Sequence, residues 1–227
     1  MVQFLLDPFI TWLPIIFTWA VLFLAIFAYV FKTHNLFQIT WFSWINYKFL
    51  SIATIIFIFS YTIILTIAQY YVWANSGSFT GLFLNSPLSP EIPPSFVTNL
   101  LPWVFESPLG YFFFYSWGRF WINALLSIGM ALVFWLFLRA LKKNNERFFY
   151  PSETELGFLC ALIVGWPSFL VFIPLVFLSV IIVSIIRAIV YREAYTTLGY
   201  PFILGAFLSL IWGGWLIDLL NLGVFKI

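Results

Sequence analysis

Long apolar runs, each closed by a charge or a turn, order this sequence. Between Asp7 and Lys32 the chain carries no charge, over a length that crosses a bilayer at roughly 20 residues per helical span. The interval from Lys48 to Glu91 is also uncharged, and its apolar part, Phe49 to Ala74, predicts a second span. The segment "FWINALLSIGMALVFWLFL", bracketed by Arg119 and Arg139, predicts a third. The run from Tyr195 to Asp218, containing "LGYPFILGAFLSLIWGGWLI", predicts the last. Between these, Glu155 to Arg187 is too long for one upright helix and short for two. Gly165-Trp166-Pro167 divides it, because proline lacks a backbone donor and disfavours helix in the residue before it. The pattern therefore predicts a short crossing, a tight turn and a full crossing from about Ser168 to Ile189.

Charge decides between that reading and a single helix. With the short crossing, Lys32, Lys48, Arg139, Lys142, Lys143, Arg147, Arg187 and Arg192 share one side, and only Arg119 and Lys226 lie opposite. Without it, Arg187 and Arg192 change sides and the bias weakens. The positive-inside rule favours six transmembrane helices, the fourth short, with the basic side cytoplasmic and both the N- and C-termini extracytoplasmic. The expected fold class is an all-α integral membrane protein forming one membrane domain over residues 1–227. The segment Ser76 to Pro108 is rich in Gly, Ser and Pro and has no Lys or Arg, as an extracytoplasmic connection would be. An interfacial helix is expected within it from Phe96 to Phe105.

Composition supports the bilayer as solvent. Hydrophobic residues make up 63% of the chain and charged residues 8%, too little charge to coat a water-soluble domain. Aromatics at 23% suit the headgroup level, where Trp and Tyr are enriched. A net charge of +2 without a Lys/Arg cluster gives no reason to expect a nucleic-acid partner. The first charge is Asp7 and no basic stretch precedes the first apolar run, so a cleavable signal peptide is not expected. Cys160 is the sole cysteine, which excludes an intrachain disulfide and a multi-cysteine zinc site. No metal or cofactor is expected.

No predicted span carries an ionisable side chain near its centre, where one would mark a functional site. Gln69, Thr62, Ser127 and Asn123 are the notable polar residues there, and interhelical hydrogen bonds are their expected use. Gly129 and Ala131, with Gly205 and Ala206, are expected to let helices approach closely. Against this polar scarcity, Glu153 and Glu155 stand together at the mouth of an apolar run. Ser152 followed three residues later by Glu155 fits a capping box, and acids complement the dipole at a helix N-terminus.

The order of segments over residues 149–221 resembles the membrane domain of type IV prepilin peptidases, the bilayer-embedded aspartic proteases. That family places Gly-x-Gly-Asp at the start of a short helix, then a small-residue stretch, a full span and a basic loop. A Gly-Pro-Phe segment opens its last helix. Here "ETELGFLCALIVGWP", "SFLVFIPLVFLSVIIVSIIRAIVYRE" and "TTLGYPFILGAFLSLIWG" follow in that order, with Tyr200 inserted between Gly199 and Pro201-Phe202. A weaker match, "AIFAYVFKTHNLFQIT", ends the first span where the family has its other aspartate. Lys32-Thr33-His34 resembles the basic residues that follow it, and Leu36-Phe37 replaces an Ile-Pro.

The resemblance implies catalytic positions at Glu155, with Glu153 beside it, and at Val30 or Tyr29. It implies substrate-binding positions at Gly199, Pro201 and Phe202. An aspartic protease needs two carboxylates sharing a proton, and this chain offers one of them and an uncharged partner. Glu155 is also longer than aspartate by a methylene. The expectation is a prepilin-peptidase-like pseudoenzyme of a cytoplasmic (inner) membrane, binding pilin-like transmembrane segments or a partner peptidase. An active aspartic-type endopeptidase using Glu155 by an altered mechanism, and a transporter or channel subunit, stay open as alternatives. His34, the only histidine, reads as a solvated loop residue, because zinc needs three or four ligands.

Overall fold

The structure is a computed structural model that describes residues 2–33, 46–75, 77–89, 96–144, 149, 150, 152–190, 192 and 197–225. His34, Leu36, Phe37, Glu91, Arg147 and Lys226 lie outside the described residues. Helices α1 (Val2–Thr33) and α2 (Tyr47–Asn75) are followed by short helices α3 (Ser78–Leu84), α4 (Phe96–Leu100) and α5 (Pro102–Phe105). Helix α6 (Gly110–Ser116) continues through a π-helical turn, Trp117–Trp121, into α7 (Ile122–Asn144). Then come α8 (Glu153–Val164), α9 (Phe169–Val190), α10 (Gly199–Leu219) and a 3₁₀ turn, Leu222–Phe225.

Five helices among the described residues are long and apolar enough to cross a membrane: Ile10–Lys32, Tyr47–Asn75, Gly110–Asn144, Phe169–Val190 and Gly199–Leu219. Their outer faces are greasy. In α9, Ile181, Ile185 and Ile189 recur every fourth residue and are 57%, 53% and 74% exposed, a stripe that lipid can cover and water cannot. Helix α8 differs. At 12 residues it spans about 18 Å, short of a hydrocarbon core of roughly 30 Å. Ten of its residues are buried, as a helix apolar on all sides must be. It packs against α1, α2, α7 and α10 and forms the centre of the fold.

Helix α8 ends at Val164 because Gly165 takes a left-handed φ of 64° that L side chains rarely adopt. Beyond Pro167 the chain turns into α9, which runs back along α10. Gly213 faces Ser168 and Gly205 faces Val176, so the two helices are antiparallel. The ends of α1, α7 and α9 and the starts of α2, α8 and α10 therefore gather at one basic end.

Three details depart from the sequence reading. The third long helix begins at Gly110, not near Arg119, because the π turn keeps α6 and α7 continuous across Trp117–Trp121. Arg119 still lies 20 residues, about 30 Å along the axis, from Arg139, so it remains at the far edge of the apolar width. The connection after α2 contains a helix, α3, which stacks Phe83 on Tyr111 at 5.0 Å. The expected helix from Phe96 to Phe105 is broken in two at Leu101, whose φ of −132° and ψ of 57° are the non-helical geometry that a following proline imposes.

Gly205 does let helices approach, since an added Cβ would sit 2.6 Å from Val176 Cγ2 and 3.2 Å from its backbone. Gly129 does not, for a Cβ there meets nothing within 4 Å. Ala131 and Ala206 are fully buried. Gly205→Ala is expected to lower stability by about 2 kcal/mol through overpacking, and Gly129→Ala to leave it unchanged or slightly raised. Thermal unfolding of the two variants in detergent checks the pair.

Candidate functional site

The basic end of α8 holds a buried carboxylate. Glu153, the first residue of α8, is 1% exposed, which requires that its oxygens find protein donors. They do. The Tyr29 hydroxyl donates to Glu153 Oε1 at 2.8 Å, and the Gly199 amide donates to the same oxygen at 3.0 Å. The Tyr150 amide donates to Oε2 at 3.0 Å. One carboxylate thus joins the end of α1, the chain entering α8 and the first residue of α10. A hydrogen bond contributes about 0.5–1.5 kcal/mol, and the donors would be left buried and unpaired without this acceptor.

Local geometry makes this meeting possible. Tyr29 is 5% exposed, and its ring packs edge-on against Tyr200 at 4.9 Å. A Cβ on Gly199 would overlap the Tyr29 ring, so only glycine lets the start of α10 reach the carboxylate. The Tyr29 oxygen also lies 3.4 Å from Thr197 Oγ1. One turn further along α1, Lys32 Nζ donates to Ser152 Oγ at 2.6 Å. Its neighbour Val30 is only half-buried.

The capping box does not form. Ser152 occupies the cap position of α8 with φ 76° and ψ 7°, and its side chain makes no cap bond. Its hydroxyl is turned to Lys32 instead. Glu155 accepts from Thr154 Oγ1 at 2.9 Å rather than reaching back to the cap. Residues two apart on a helix face different directions, and this pair is a case of it. Glu153 points inward to Tyr29, whereas half-buried Glu155 lines an outer groove with Lys48 and Trp135. The structure brings together Glu153, Tyr29 and Gly199, and it keeps Glu155 apart from them.

The helical repeat carried a signal for this choice. Glu153 shares a stripe with Leu156, Gly157 and Cys160, whereas Glu155 shares one with Phe158, Leu159 and Leu162. Gly157 is the tight position, where an added Cβ would lie 3.0 Å from Phe202. A small-residue stripe marks the side against which other helices pack. Pro201 and Phe202, expected to contact substrate, are buried in the core, with Phe202 edge-on to Phe134.

The polar residues within the spans have other uses. Thr62, Asn123 and Ser127 line a cavity of about 330 Å³ between α1, α2, α7 and α8, with Arg119 also on its wall. Thr62 donates to the Ile58 carbonyl and Ser127 to that of Asn123, both at 2.8 Å. Ser127 also accepts from the Trp166 amide at 2.8 Å, tying the α8–α9 turn to α7. Their hydrogen bonds go to helix backbone and to the turn, so the cavity presents few free polar groups. Among the described residues, no group of three or more His, Cys, Asp or Glu is placed to hold a metal ion.

Removing the carboxylate should be costly only at the inner position. Glu153→Ala is expected to lower the midpoint of thermal unfolding by about 10 °C, because it leaves the buried Tyr29 hydroxyl and two backbone amides without an acceptor, at about 1–3 kcal/mol each. Glu155→Ala is expected to shift it by less than about 2 °C. Thermal unfolding in detergent separates the two.

No family model, curated protein or solved structure matches this chain.

Proposed function

We propose that this protein is a prepilin-peptidase-like membrane protein without catalysis, which binds pilin-like transmembrane segments or a partner peptidase. The observation that carries the reading is the Tyr29–Glu153 hydrogen bond of 2.8 Å. It joins one of the two positions at which the family resemblance expects the first aspartate to Glu153, two residues before the Glu155 that the resemblance aligns with the second aspartate. The opening glycine of the third motif, Gly199, donates to the same carboxylate. Three segments far apart in sequence that resemble one family's motifs meet at one point, as a shared ancestry would have them do.

Chemistry at that point is blocked. The shared-proton arrangement needs two carboxylates, one ionised to activate water and one protonated to polarise the carbonyl. A tyrosine occupies the partner position here, and its hydroxyl is bound to the carboxylate. A water molecule would have to displace the Tyr29 hydroxyl or the Gly199 amide to reach Glu153. Glu155 is no substitute, since it lies on another face of α8 and, among the described residues, no second carboxylate lines its groove. In this reading the protein sits in a cytoplasmic (inner) membrane with its basic end cytoplasmic, and α8 is the short fourth of six crossings.

The test is cleavage and crosslinking in membranes with a pilin-like precursor. The wild type is expected to crosslink to the precursor or to a co-expressed peptidase, and not to cleave. The double variant Tyr29→Asp, Glu153→Asp is expected to gain detectable cleavage. Cleavage by the wild type that disappears in Glu153→Gln would make the protein a working peptidase. Crosslinks to neither candidate would end the binding proposal.

A further inference from the structure

The outer face of α8 carries a second polar arrangement, independent of the Tyr29–Glu153 site. A groove of about 240 Å³ runs between α2, α7 and α8 at the basic end. Its walls are apolar, from Ile55, Leu132, Trp135 and Phe158, and Leu132 is 43% exposed, so the groove opens towards lipid. Lys48 and Glu155 also line it, one cation and one anion. Among the described residues they form no ion pair with each other or with any other group. Ser51 lines the same groove at 3% exposure, and its hydroxyl has no hydrogen-bond partner. A buried serine in a helix ordinarily donates to the carbonyl four residues earlier, as Thr54 does to Leu50 at 2.8 Å.

We infer that this groove binds a zwitterionic phospholipid with a primary ammonium headgroup, of the phosphatidylethanolamine class. The acyl chain lies along the apolar wall. The phosphate faces Lys48, and the ammonium faces the Glu155 carboxylate. The charge pattern selects this lipid. An anionic headgroup without an amine satisfies Lys48 but sets negative charge against Glu155. A choline headgroup carries positive charge but has no N–H to donate. Arg139, with its guanidinium 4.6 Å from the Trp135 ring centroid, flanks the groove and adds to its attraction for phosphate.

Native mass spectrometry of the detergent-purified full chain, titrated with phosphatidylethanolamine, phosphatidylcholine and phosphatidylglycerol, tests this. The wild type is expected to retain phosphatidylethanolamine about fivefold better than either of the others, the scale of a partly exposed ion pair. Glu155→Gln is expected to bring the ethanolamine-to-glycerol ratio close to one while the thermal midpoint stays put. Lys48→Gln is expected to weaken retention of both of those lipids. Equal retention of all three lipids by the wild type would overturn the site, as would an unchanged ratio in Glu155→Gln.

Discussion

A carboxylate placed between packed helices must be met by donors that the protein itself supplies, because water is not there to do it. Glu153 sets that requirement, and much of the fold's basic end follows from it. Tyr29 must stand at the end of α1 with its hydroxyl inward. The chain before α8 must turn its Tyr150 amide back on the side chain, which Ser152 permits by taking a left-handed conformation. Gly199 must lack a side chain, so that α10 can begin against the Tyr29 ring. Helices α1, α8 and α10 are thus fixed to each other at one point. The glycine contacts of α10 with α9 then carry that registration along the bundle.

The sequence showed where the long helices run, since in a bilayer apolar length and the placing of charge are the dominant constraints. Val30 and Tyr29 could not be separated from sequence, because the end of a span does not reveal which neighbour faces inward. Packing buries Tyr29 and leaves Val30 half out. Glu155 drew attention by its spacing from Ser152. That spacing was misleading, because a capping box requires an extended backbone at the serine and Ser152 is left-handed. The continuous Gly110–Asn144 helix was hidden because Arg119 looks like a boundary, and a π turn leaves no compositional mark. Gly129 and Gly205 look alike in sequence, yet only Gly205 has a neighbouring helix against it.

The two glutamates of α8 divide the helix into different physical settings two residues apart. Glu153 is enclosed, fully partnered and structural in its effect. Glu155 is outside that network, beside Lys48 and an unpaired serine hydroxyl, where charge remains available to something not part of the chain. A helix whose inner carboxyl is enclosed leaves its outer surface as the part able to meet other molecules. Binding, rather than turnover, is the property that such a surface can retain.

The account depends on Tyr29 and Glu153 acting as one unit, and a double-mutant cycle measures that most directly. Unfolding free energies of the wild type, Tyr29→Phe, Glu153→Gln and the double variant would be compared in the same detergent. A coupling energy of about 1–3 kcal/mol is expected, because each substitution removes the same buried hydrogen bond. Additive effects, with coupling below about 0.5 kcal/mol, would mean that the two residues do not hold the helices together, and the account would be wrong.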